Sequence, residues 1–135
     1  AVDAGDGDAV EAVRELTGGG ATHAFEVIGM RATAEQAVRM LGVGGSALLI
    51  GVQQPGTRLD LDLFGDVILP QRRIIGVAMG STNPHLDIPM FAQLYLQGRF
   101  NLDDLVSECI GLDEIDAGYA SLASGSVARS VITRF

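Results

Sequence analysis

Apolar positions along this 135-residue chain follow two rhythms. Short dense runs alternate with stretches in which apolar residues recur every three or four positions. Two of the dense runs, Phe25-Glu26-Val27-Ile28-Gly29 and Ala47-Leu48-Leu49-Ile50-Gly51-Val52, each run into glycine at the carboxyl end and are separated by one helix's worth of sequence. That arrangement predicts a parallel βαβ unit, with strands over Ala24 to Ile28 and Ser46 to Val52 and a right-handed crossover. The first of these is apolar throughout except for Glu26, as strands covered on both faces tend to be. Further strands are expected over Arg73 to Met79, Leu105 to Leu112 and Ser130 to Phe135. Ala1 to Ala4 reads as the tail of another, so a truncated beginning is expected.

The helical stretches carry their own punctuation. Asp8 or Asp6 is placed to cap a helix bearing Val10, Val13 and Leu16, which Gly18-Gly19-Gly20 stops. Thr33 is expected to cap a second helix through Leu41, with Ala34, Ala37, Val38 and Leu41 on one face and Gly42-Val43-Gly44-Gly45 ending it. After a loop over Gln53 to Arg58 and an extended start at Leu59, a short helix over Val67 to Leu69 is ended by Pro70. The longest helix is predicted over Leu86 to Leu96, with Pro89 in its first turn, where a missing N–H is tolerated, and Gly98 closing it. Asp113 caps a last helix through Leu122, ended by Gly125. Strands and helices in alternation predict an α/β layered fold.

Composition narrows the partners. Apolar residues at 47% and charged residues at 19% describe a globular chain able to bury a core. The net charge is −8 and every cation is arginine, so neither nucleic acid nor an anionic membrane surface is an expected partner. The lone Cys109 excludes an internal disulfide, fits a reducing, cytoplasmic compartment, and reads as a small buried thiol. No apolar run approaches the length of a membrane span, and no secretory leader is visible.

Catalytic constellations are sparse. A dinucleotide phosphate site needs a Gly-x-Gly-x-x-Gly turn between strand and helix, followed by an acidic residue about 20 positions later. Gly5-Asp6-Gly7 lacks the third glycine, and Gly42-Val43-Gly44-Gly45 runs from helix into strand, the reverse order. Cys109, His23 and His85 are dispersed and not at metal-ligand spacing. His23, just before a strand, reads as a surface histidine, and His85 as a first-turn helix residue. Ser124 has no glycine two residues before it and ends a helix where a nucleophile elbow would begin one. The surviving signal is an apolar wall: three strand ends, Ile28-Gly29, Ile50-Gly51-Val52 and Gly76 to Gly80, whose glycines would let a flat ring approach the backbone.

In order along the chain, Phe25-Glu26-Val27-Ile28-Gly29, Gly44-Gly45 with Ile50-Gly51-Val52, Gly76-Val77-Ala78-Met79-Gly80 and Ser124 to Ile132 resemble the C-terminal part of medium-chain, zinc-dependent alcohol dehydrogenases. The likeness is greatest to the alcohol and thiol-linked formaldehyde dehydrogenase branch, and it covers essentially the whole chain. It implies the second half of a Rossmann-type parallel sheet over residues 1–80 and the C-terminal part of a catalytic domain over 81–135. Carried over by the resemblance, Val27, Ile28 and Gly29 would lie beside the adenosine and adjoining ribose of NAD or NADP. Ile50, Gly51 and Val52 would flank the nicotinamide and its ribose. Val77, Ala78 and Met79 would meet the carboxamide through the backbone, and Arg129 would pair with the phosphates.

The intact enzyme would move hydride between an alcohol, or a thiol–formaldehyde adduct, and the dinucleotide, with zinc polarising the alcohol oxygen. The zinc ligands, the phosphate-binding turn and the ribose-binding acid of the family are not in this sequence, and this chain alone is expected to be inactive. The resemblance further implies a homodimer or homotetramer paired through the strand around Gly76 to Met79. Two rivals remain: a zinc-free quinone or enoyl reductase of the same superfamily, and a non-catalytic dimerisation or nucleotide-binding module.

Overall fold

A computed structural model describes every residue except Asp6, so its suggested capping role lies outside the described residues. The chain divides into two units, Ala1–Thr82 and Asn83–Phe135.

The first unit begins without a strand, because Ala1 to Ala4 make no sheet pairing. Helix α1 (Ala9–Leu16) starts where expected, with the Asp8 carboxylate accepting from the N–H groups of Val10 and Glu11. Strand β1 (Ala21–Glu26) is followed by α2 (Arg31–Arg39) and β2 (Leu41–Leu49), and β1 and β2 are parallel. A short π-helical turn (Leu63–Ile68) then leads into β3 (Arg73–Gly76), which lies parallel on the other side of β2. The sheet order is β1-β2-β3. The predicted βαβ unit is therefore present.

Its boundaries are shifted for identifiable reasons. β1 starts three residues before the expected position and takes His23 into the strand, exposed, with its Nδ1 3.2 Å from the Thr22 hydroxyl. β2 absorbs the glycines thought to end α2: Ala21 pairs with Leu41, but His23 pairs with Ser46, so residues 42–45 bulge out of the ladder. Thr33 is not the cap of α2. It lies inside the first turn, and Met30 occupies the cap position without a side-chain hydrogen bond.

The core of this unit is Ala37, Val38, Leu41 and Ala47, with Ala24, Leu49 and Leu61 packed against it. Alternation puts Ala24, Ala47 and Leu49 under α2, and their neighbours on the opposite face. That face is open within the unit, and Phe25 there is 64% exposed. Only one side of β1 is thus covered, against the two-sided burial its apolar run suggested. The junction of α2 and β2 is clamped from outside. Arg14 donates to the carbonyls of Leu41 (2.9 Å) and Arg39 (3.4 Å), while Arg72 donates to the same Leu41 carbonyl and to that of Asp66.

The second unit opens with α3 (Pro84–Leu96), two residues earlier than predicted, because Asn83 caps it through the His85 N–H and Pro84 takes the first helical position. Pro89 consequently falls in the second turn. Strand β4 (Glu108–Gly111), a 3-10 turn, α4 (Ile115–Ala123) and β5 (Ser130–Arg134) follow, and β4 and β5 are parallel. The expected Asp113 cap is replaced by Glu114, whose carboxylate accepts from the Gly111 N–H (2.7 Å) and pairs with Arg134 (2.9 Å). Cys109 is exposed, not buried. Ile110 faces α4 and lines a small hollow of about 150 Å³ with Tyr119 and Ile132, so the alternation of β4 sends Cys109 to the other side.

Candidate functional site at the carboxyl edge of the sheet

All three strands of the first unit finish on one edge. Glu26 pairs with Leu49 and Leu49 with Gly76, so the last residues of β1, β2 and β3 stand in one row. The segments Val27–Ile28–Gly29, Ile50–Gly51–Val52 and Val77–Ala78–Met79 therefore leave the sheet side by side. In an open parallel sheet this is the edge at which ligands bind. It is also apolar and uncovered: Val52 is 93% exposed and Met79 86%, with Val27, Ile28 and Ala78 exposed beside them. Arg129 belongs to the second unit. Its carbonyl accepts from the Ser107 N–H (2.9 Å) just ahead of β5, and its side chain is exposed.

The glycines of this edge serve a purpose different from the expected one. A Cβ on Gly29 would come within 2.5 Å of the Val52 carbonyl oxygen, and Gly29 has φ +85°. A Cβ on Gly51 would overlap the Gly29 nitrogen and stand 2.7 Å from the Gly29 Cα. These two glycines make room for each other's strand, not for a ligand. Gly76, by contrast, opens onto free space.

One residue joins the two glycine-bearing ends, and its role was not foreseen. Glu26, only 3% exposed, places Oε1 within reach of three donors: the N–H groups of Ile28 (2.9 Å) and Gly29 (2.8 Å) and the Thr33 hydroxyl (2.8 Å). Its backbone carbonyl accepts from Ile50 (2.8 Å) and Gly51 (3.0 Å). Burial pushes the Glu26 carboxyl up, but the donors from Gly29, Thr33, Ile28 and Met30 outweigh it and hold the group below its ordinary value. Its Oε2 is buried without a hydrogen-bond partner among the described residues, beside Gly51. The signal available in the sequence was a single acid inside an otherwise apolar strand, three residues before a glycine.

On β3, the Val77 N–H continues the ladder to Leu49 (2.9 Å). The chain then turns sharply, with Met79, Gly80 and Ser81 all at positive φ (51°, 69° and 54°). This tight turn presents Met79 at the rim.

Among the described residues no three His, Cys, Asp or Glu side chains gather as a metal ion requires. The donor set of the described residues does not fit a zinc site. No helix of the described residues is long and apolar enough to cross a membrane.

The zinc-binding dehydrogenase family matches residues 1–97. This chain belongs to that family. Alcohol dehydrogenase-like 2 of Arabidopsis thaliana is 32% identical over 123 residues, covering 90% of this chain and 31% of its own length. The benzyl alcohol dehydrogenase of Acinetobacter calcoaceticus superposes with a TM-score of 0.86 at 32% identity, over 98% of this chain and 36% of that one. A zinc-binding dehydrogenase of Sinorhizobium meliloti, solved with bound NADP, aligns at 27% identity and a TM-score of 0.71, over 98% of this chain and 36% of that one. This zinc-binding dehydrogenase chain thus spans about a third of the length of the relatives it matches. Two of these three relatives are alcohol dehydrogenases by name. The parallel α/β architecture agrees with the Rossmann-type part of such structures.

Proposed function

We propose that this chain is the C-terminal part of an alcohol dehydrogenase and supplies the surface on which a nicotinamide dinucleotide lies. The observation that carries this reading is the row Glu26–Leu49–Gly76, which delivers three exposed apolar strand ends to one edge. A flat heteroaromatic ring gains most against such a surface, since Val52, Ile28 and Met79 offer exposed apolar area. NAD or NADP is the cofactor we assign. Bound there, it would supply the hydride acceptor for oxidation of the alcohol. The chain's own contribution is orientation: β2 and its Val52 end would hold the nicotinamide half, and the Val27–Gly29 end the adenosine half. Arg129, exposed and without an ion-pair partner among the described residues, is assigned to the phosphates of the dinucleotide.

Zinc assistance belongs to the whole enzyme in this reading, as does the alcohol or thiol–formaldehyde adduct that serves as substrate. Residues 1–80 would then be the second half of the dinucleotide domain, and residues 81–135 a return to the catalytic domain. We further assign a homodimer, formed through β3, whose outer edge has no neighbour among the described strands. The measured mass of the full-length protein in solution tests that assignment.

The function is tested by incubating full-length protein with alcohols and either NAD or NADP, and following reduced nicotinamide. Turnover is expected with one of the two. Absence of dinucleotide binding by the full-length protein overturns the reading, and oxidation of NADPH by quinones without alcohol turnover would move it to a zinc-free reductase.

A further inference from the structure

We propose that Glu26 is a positioning residue for the dinucleotide, fixing which backbone donors the sheet edge can offer it. The inference rests on the dinucleotide reading of that edge. Four N–H groups of the two glycine-bearing ends are consumed by this one residue. Ile28 and Gly29 donate to its Oε1, Ile50 and Gly51 to its carbonyl. A fifth, Val77, is taken by Leu49. Among the described residues the N–H groups of Val27, Val52, Ala78 and Met79 are left without a partner. Apart from the Val27 N–H on the β1 end, the donors open to a ligand thereby lie on the β2 and β3 ends, and the β1 end otherwise presents the Val27 and Ile28 side chains.

The geometry explains why a carboxylate does this work. The turn from Glu26 to Met30 points consecutive N–H groups inward at the start of α2, where an anion is favoured by the free amides of the first turn. Thr33, in that same turn, adds its hydroxyl to Oε1 (2.8 Å), so helix α2 and the strand end are tied to one oxygen. Oε2 lies where a Cβ on Gly51 would come within 2.8 Å of it. The carboxylate therefore stands directly behind the Gly29–Gly51 crossing. Without it, the Ile28 and Gly29 N–H groups would lose their part-buried acceptor, and the segment would turn to seek other acceptors.

The test uses the full-length dehydrogenase and the variant Glu26→Gln, which keeps one acceptor oxygen and the side-chain shape. The readouts are the Kd for reduced dinucleotide, measured by its fluorescence, and the KM for alcohol at saturating dinucleotide. Losing a charge-assisted acceptor is expected to raise the Kd about tenfold, with the alcohol KM unchanged. A merely structural role would lower thermal stability and leave the Kd of the folded fraction alone. An unchanged Kd overturns the inference while leaving the dinucleotide reading intact; failure of the parent protein to bind dinucleotide overturns both. Should Glu26→Gln not fold, Thr33→Val removes one donor to the same oxygen, and is expected to raise the Kd about threefold, in line with one ordinary hydrogen bond. No change in that variant also overturns the inference.

Discussion

Gly51 lies so close to Gly29 that a side-chain carbon on the first would stand 2.7 Å from the Cα of the second. Two strand ends meet there backbone to backbone, and neither can move aside, because both donate to Glu26. Gly51→Ala is therefore expected to destabilise the protein by about 1–3 kcal/mol, the usual penalty of overpacking. Urea unfolding of the full-length protein measures it. A neutral result would mean that the two ends part easily.

Glu26 links folding to pH. Its folded-state pKa lies below the ordinary value of 4.5, so the ionised carboxylate stabilises the fold above that value, and the stabilisation fades as pH falls through the folded pKa. The sign is fixed: parent and Glu26→Gln should differ in urea midpoint at about pH 7 and converge as acidification carries the carboxyl through its lowered pKa. Parallel curves across that range would show that Glu26 is not ionised in the native state.

Arg72 and Arg14 share the carbonyl of Leu41, and Arg72 also reaches Asp66. Burial lowers the pKa of Arg72, and Arg14 adds to that. Arg72→Leu removes a charge-assisted donor and leaves a carbonyl at the α2–β2 junction with Arg14 alone. A loss of about 1–3 kcal/mol is expected, read by thermal or urea unfolding. Loss of dinucleotide affinity without loss of stability would contradict the structural assignment.

The strap after Val52 is held by Glu35, which accepts the Asp60 N–H (2.8 Å) and pairs with Arg31 (2.6 Å), while Arg39 donates to the Asp60 carbonyl (2.7 Å). Arg31 above all, then the Asp60 N–H, holds the Glu35 carboxyl below its ordinary value. In Glu35→Ala the Asp60 amide should exchange its hydrogen faster, while Ala47 in the core keeps its protection. Equal exchange in parent and variant would show that the strap is held elsewhere.

What could be read from the chain divides along the range of the interactions. The Asp8 cap was legible because its partners, Val10 and Glu11, lie within one turn. The row of three strand ends was legible too, since an apolar run that stops at glycine marks its own carboxyl edge. Thr33 was misread because its hydroxyl turns back to Glu26, seven residues away, and to the Met30 carbonyl. The glycines at 42–45 look like a helix stop, yet pairing with Ala21 draws Leu41 into the sheet ahead of them. Nothing local announces that. Cys109 fell on the open side of β4 because strand alternation is decided by where α4 packs, and α4 takes the face of Ile110 although Glu108 shares it.

β1 has β2 on one side and nothing on the other among the described strands, and it carries the bare ring of Phe25. Such a border is a template on which any extended segment can register, including the same strand of a neighbouring molecule. Handling of this polypeptide by itself will therefore be governed by colloidal behaviour: yield should fall with concentration long before heat or denaturant matters. Placing a lysine at His23 or Phe25, along that border, is the economical way to keep copies apart in the tube.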